Sequence, residues 1–139
     1  MFDQILRIPK ERVLEPLAQG PLKNVSPSTI NVIACGVSVA AGVSAWQYPM
    51  GMTLSLWFLN RFLDGSDGTI ARVNDKQSDF GGYLDIVLDK VDYVSIPLGL
   101  ALSVNEEGVF IALALLFAVF YINGAAWMML AANLEKHNQ

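Results

Sequence analysis

The sequence predicts an all-α integral membrane bundle of about four transmembrane helices, preceded by an amphipathic juxtamembrane segment over residues 1–25. Three observations predict it. The chain is 53% hydrophobic and only 16% charged, with a mean hydropathy of +0.41. Four apolar stretches approach the ~20 residues that a bilayer crossing requires. Every Lys and Arg falls on one side of those stretches, as the positive-inside rule expects of cytoplasmic segments. With 139 residues there is room for one domain. A net charge of −4 excludes a nucleic-acid partner held by bulk electrostatics.

Taken in order, residues 1–25 place Phe2, Ile5, Leu6, Val13, Leu14 and Leu17 at roughly helical spacing, interrupted by Pro9 and Pro16. With Arg7, Lys10 and Arg12 on the polar side, this suits a segment lying on the cytoplasmic membrane face or packed on protein. No continuous apolar core precedes Ser26, so a secretory leader is not expected. Ser26-Pro27 is a helix start, a capping hydroxyl followed by proline at the first helical position. The first span runs from about Thr29 to Trp46 and is rich in Ala, Gly and Ser, which permit close helix packing. Cys35, the single cysteine, lies within it and is read as packing. The second span begins after Pro49, the third runs from near Gly81 to Leu102, and the fourth from Gly108 to about Leu134. Gln47-Tyr48-Pro49 and residues 103–107 contain no Lys or Arg, whereas Lys23, Arg61, Arg72, Lys76, Lys90 and Lys136 sit at the opposite ends. Both chain ends and the 64–80 connection are therefore expected in the cytoplasm.

Aspartates interrupt this apolar pattern. On helices over 58–72 and 81–95, Asp64 and Asp67 are i, i+3 neighbours, with Gly68 and Ala71 continuing their face. Gly81, Asp85 and Asp89 form an i, i+4, i+8 stripe on the next helix, and Asp92 follows one turn on. At full depth Asp85, Asp89, Lys90 and Asp92 would together cost about 10 kcal/mol, more than the ~3–6 kcal/mol returned by the Leu, Ile and Val residues of 81–102. They cannot face lipid, so they line a polar cavity in the cytoplasmic third of the bilayer, and intramembrane carboxylates mark function. Oxygen donors without His or Cys suit Mg²⁺, Mn²⁺ or Ca²⁺. Two such ions can clamp a diphosphate during phosphoryl transfer. Gly68, Ala71 and Gly81 would let a headgroup approach the backbone, and Arg72 could neutralise a phosphate. Asp75, Lys76 and Asp79 read as solvated loop, and Lys90 and Asp92 as pairing with each other or with loop charges rather than binding substrate.

The run Asp64-x2-Asp67-Gly68-x2-Ala71-Arg72-x8-Gly81-x3-Asp85-x3-Asp89 resembles the signature of the CDP-alcohol phosphotransferases, with the surrounding apolar pattern extending the likeness from about Ser26 to the C-terminus. The resemblance implies transfer of a phosphatidyl or other substituted phosphoryl group from a CDP-linked alcohol, CDP-diacylglycerol first among them, to an acceptor alcohol with release of CMP. It implies two divalent ions, Mg²⁺ or Mn²⁺, on Asp64, Asp67, Asp85 and Asp89, with Asp89 also the base toward the acceptor hydroxyl. Gly68, Ala71, Arg72, Ser78 and Gly81 become donor contacts. A homodimer in the plasma or inner membrane, with its active site on the cytoplasmic side, is implied as well. The family generally has six spans, so residues 26–139 are expected to form a domain lacking the last two. At the first span the family's Pro-Asn-x-x-Thr reads Pro27-Ser28-Thr29-Ile30-Asn31 here.

Two other readings stand beside it. An intramembrane prenyltransferase also pairs aspartates with Mg²⁺, and Asn60-x3-Asp64 faintly resembles its first motif, but Gly68, Ala71-Arg72 and Gly81 have no place there. A catalytically incomplete, metal-binding membrane subunit would account for the missing spans.

Overall fold

Proline sets its own φ and has no N–H to satisfy, so the chain turns into helix directly after the extended Ser26. The resulting α1 spans Pro27–Gln47. The computed structural model describes residues 23–137 together with Pro16, Gln19 and Gly20. It continues with α2 over Met50–Val73, α3 over Asp79–Val104 and α4 over Glu107–His137. There is no strand among the described residues. The amphipathic segment expected over residues 1–25 falls largely outside them.

The helix ends follow local chemistry. Asp75 adopts a left-handed backbone at φ 52°, which stops α2, and the Asn74 side chain donates to the Ile70 carbonyl at 3.1 Å. The extended Ser78 caps α3, its Oγ accepting the Gly81 N–H at 3.0 Å. Asn105, left-handed at φ 53°, ends α3 with its N–H on the Ala101 carbonyl at 2.9 Å. The third helix is thus two residues longer at each end than the hydropathy alone suggests.

Burial is inverted relative to a water-soluble protein. The buried apolar residues are Ile30, Ile70 and four alanines, and they are accompanied by buried Asn31, Ser38, Ser44, Thr53, Asn60, Ser66, Asp67 and Thr69. The large side chains point outward: Phe58, Tyr121, Ile122, Trp127 and Met128 are each about two-thirds exposed or more. Small and polar residues inside with bulky apolar ones outside is the packing of helices solvated by lipid. α1 and α4 are long and apolar enough to cross a membrane by length and composition. α2 and α3 have 24 and 26 residues, enough to span, and carry the charged motif.

α1 is the central element. It packs against both α2 and α3, whereas no α-carbon of α2 lies within 8 Å of one in α3. α4 touches only α3. Between α1 and α2, Thr53 Oγ1 donates to Ser44 Oγ at 3.2 Å and Asn60 Nδ2 to the Ala34 carbonyl at 2.9 Å. Between α1 and α3 the backbones touch at two glycines. A Cβ on Gly42 would strike the Ser95 carbonyl, and one on Gly99 the Gly42 carbonyl. Backbone atoms cannot rotate away, so Gly99→Ala is expected to force the helices apart. The expected cost is about 1–3 kcal/mol, read as a lowered Tm in detergent.

The outcome is a cleft with α2 and α3 as its walls and α1 as its floor. The aspartate stripes face across it.

Candidate active site

The two stripes converge. One carboxylate oxygen each from Asp64 on α2 and from Asp85 and Asp89 on α3 all lie within 4.8 Å of one another. All three residues are half-buried. At that spacing each pair of charges repels by about 3–4 kcal/mol at an effective dielectric of 20, so the cluster calls for a cation. Its donors are all hard oxygens, which suits Mg²⁺ or Mn²⁺. Asp67 lies outside this group of three. It is buried one helical turn from Asp64, and its Oδ1 accepts the Gly68 N–H.

Beside the cluster is a cavity of about 270 Å³, formed by the start of α1, the end of α2, the 76–78 connection and the start of α3. All five residues expected to touch the donor line it: Gly68, Ala71, Arg72, Ser78 and Gly81. Asp67 and Asp85 complete its inner wall, so Asp85 belongs to both the cavity and the carboxylate cluster. The N-termini of α1 and α3 open into the same space through Ser28, Gly81 and Gly82. The positive ends of the two helix dipoles there favour a phosphate.

Local packing explains the glycines. A Cβ on Gly68 would come within 3.2 Å of Arg72 Nη1, so the bare position gives the guanidinium its place. Arg72 Nη2 also reaches Thr69 Oγ1 at 3.5 Å. A Cβ on Gly81 would crowd the Ser78 hydroxyl at 3.0 Å, the hydroxyl that caps α3. Ser78 is therefore occupied with the cap as well as lining the cavity. Lys76, which also lines the cavity, donates to the Lys23 and Val25 carbonyls at 2.6 and 3.3 Å and ties the connection to the start of α1.

Four polar residues outside the predicted metal and donor-contact set prove to shape the site. Asn31, on the floor helix, donates to Asp85 Oδ1 at 2.9 Å. Asp92 does not pair with Lys90, correcting the expected ion pair. Its side chain is 6% exposed and its Oδ2 accepts from Arg61 Nη2 at 2.8 Å and from Asn60 Nδ2 at 2.9 Å. Arg61 in turn holds Asn60 Oδ1 through Nε and Nη2, at 3.0 and 2.7 Å, and places Nη1 3.4 Å from Asp64. Lys90 lies instead 5.6 Å from the centroid of the Tyr93 ring. The signal for Asn60 and Asp92 was present in the sequence, since polar residues midway along apolar helices require partners. Which partners they find depends on the helix arrangement.

An all-helical membrane bundle with aspartates converging from two helices beside a polar cavity defines a class of site, and one family matches it over most of the chain. Residues 25–139 match the CDP-alcohol phosphatidyltransferase family, and the chain belongs to it. Among similar proteins, the inner membrane protein YnjF of Escherichia coli is 42% identical over 115 residues, covering 81% of this chain and 54% of YnjF. An archaetidylinositol phosphate synthase of Pyrococcus horikoshii is 30% identical over 95 residues, 68% of this chain and 49% of the synthase. A protein of the same name from Aeropyrum pernix is 35% identical over 84 residues, 58% of this chain and 43% of its own. The chain thus spans about half the length of these curated relatives. No solved structure matches it.

Proposed function

We propose that this chain transfers a substituted phosphoryl group from a CDP-linked alcohol to an acceptor alcohol and releases CMP. The observation that carries the reading is the meeting of Asp64, Asp85 and Asp89 oxygens within 4.8 Å at the edge of the cavity that Gly68, Ala71, Arg72 and Gly81 line. Asp64, Asp85, Asp89 and the adjacent Asp67 would hold two divalent ions, Mg²⁺ or Mn²⁺. Bound there, such ions would neutralise diphosphate charge and stabilise the attacking and leaving oxygens.

The protein's own residues supply the rest. Arg72 and the first turns of α1 and α3 grip the diphosphate in the cavity. Gly68, Ala71, Ser78 and Gly81 shape the wall against which the donor's nucleotide end rests. Asp89 accepts the proton of the acceptor hydroxyl. The acceptor oxygen then attacks the phosphorus that bears the donor alcohol, a new P–O bond forms, and the bond to the bridging oxygen breaks. The electron pair of that bond leaves with CMP.

A lipid donor such as CDP-diacylglycerol fits an aspartate cluster set within membrane helices, where tails lie in the bilayer and the diphosphate at the acidic rim. Two relatives are named for synthesis of archaetidylinositol phosphate, which makes a phosphoinositol-type acceptor the first to try. The charge asymmetry supports a site on the cytoplasmic side of a plasma or inner membrane. The family likeness supports a homodimer.

The test is CMP release from membranes carrying the protein, given labelled CDP-diacylglycerol and a panel of acceptor alcohols. Release is expected with Mn²⁺ or Mg²⁺, to vanish on chelation, and to return on adding the ion back. Metal binding without CMP release from any acceptor would favour a metal-binding subunit instead.

A further inference from the structure

Within the polar network beneath the carboxylate cluster, one acid has a nearly fully buried side chain and does not line the cavity. Asp92 is 6% exposed, and its Oδ1 has no hydrogen-bond partner. Such a group is costly in a membrane helix unless what it holds is needed. What it holds is α2. With no α-carbon of α2 within 8 Å of α3, the two walls of the cleft reach each other through side chains, and the Asp92 bonds to Arg61 and Asn60 are direct ties between them. Arg61 and Asn60 are also bonded to each other, and Asn60 is pinned to α1 through the Ala34 carbonyl. One side-chain knot therefore fastens all three helices. It sits one turn below Asp64 on α2 and one turn below Asp89 on α3.

We propose that Arg61 and Asp92 form a positioning pair that sets the separation of α2 and α3, and through it the affinity of the Asp64–Asp85–Asp89 cluster for a divalent ion. The inference rests on the metal-site reading above. Neither residue lines the cavity or belongs to the carboxylate cluster. Arg61 is anchored by Asp92 and Asn60 at 2.7–2.8 Å and only leans toward Asp64 at 3.4 Å, so its main bonds serve the helix spacing and not the cluster's charge.

This distinction gives the experiment its sign. Removing a positive charge beside Asp64 should, by Coulomb's law alone, tighten cation binding. If Arg61 is chiefly a positioning residue, its removal should weaken it. The measurement is binding of Mn²⁺ alone to the full chain in detergent micelles, followed by loss of the free-ion electron paramagnetic resonance signal, with helicity and Tm recorded in parallel. Arg61→Gln and Asp92→Asn are each expected to raise the Mn²⁺ dissociation constant about 10–100-fold, the usual cost of losing a partner that orients a metal ligand. Because the two act through each other, the double variant should bind no more weakly than Asp92→Asn. Arg61→Lys, which can still reach Asp92, should recover part of the affinity. Unchanged or tighter Mn²⁺ binding by a folded Arg61→Gln protein, or fully additive losses in the double variant, would overturn the proposal. If Arg61→Gln does not fold, a folded Arg61→Lys protein with wild-type affinity, set against a weakened Asp92→Asn, supports the pair, and equal affinities in all three overturn it. A wild-type chain that binds no Mn²⁺ removes the metal site itself, a different failure from a site that binds but ignores Arg61 and Asp92.

Discussion

Asp89→Asn is expected to reduce CMP release by about 10²–10⁴-fold at saturating Mn²⁺, the range contributed by a positioned general base. The substitution keeps the shape of the side chain and an oxygen that can face a cation, but it removes the ability to accept a proton. Asp89 stands one turn beyond Asp85 on α3 and, unlike Asp85, does not line the cavity. Because Asp89 is also proposed to bind metal, the comparison is made across a Mn²⁺ titration. A loss that high Mn²⁺ restores would reassign Asp89 to metal binding alone, and a retained rate at every Mn²⁺ concentration would remove it from the chemistry.

Asp85→Asn is expected to abolish both functions at once. Asp85 belongs to the carboxylate cluster and lines the cavity, and Asn31 fixes its orientation from the floor helix at 2.9 Å. The amide replacement leaves three anionic groups reduced to two at the cluster. It can also turn an NH₂ toward the place where a cation would sit. The drop in Mn²⁺ affinity should exceed the roughly 10–100-fold cost of losing an orienting partner such as Asn31. CMP release should fall with it and not return within the accessible Mn²⁺ range. Mn²⁺ binding within a few-fold of wild type would show that the ion is held elsewhere.

Much of the architecture can be read from local pattern. The four apolar stretches, Ser26-Pro27 at the start of α1, Asn105 at the end of α3 and the clustering of Lys and Arg each report a preference of nearby residues. The i, i+4, i+8 spacing of Gly81, Asp85 and Asp89 puts them on one face of any helix they form. Gly68, Ala71, Arg72 and Gly81 were legible for a similar reason, since small side chains and an arginine flanking an acidic stripe have few other uses inside a membrane, whereas Ser78 came from the family resemblance alone.

The rest depends on contacts between distant segments. Nothing in the spacing of Asp64 and Asp67 reveals that Asp64 meets Asp85 and Asp89 while Asp67 turns onto the Gly68 amide. That choice is made by the rotation of α2, set where Asn60 and Thr53 bond to α1. Lys90 is two residues from Asp92 and looked like its partner, but side chains two apart on a helix point to different faces. Arg61, 31 residues away, takes the acid instead.

The sequence alone therefore determined the helices, their membrane character and the chemistry carried on each face, because all of these follow from neighbours along the chain. Only the tertiary structure decided which carboxylates share a cation and which arginine braces them. Those outcomes turn on how closely Gly42 and Gly99 let α1 and α3 approach and on the distance at which α1 holds α2 from α3, and no local preference encodes an interhelical distance.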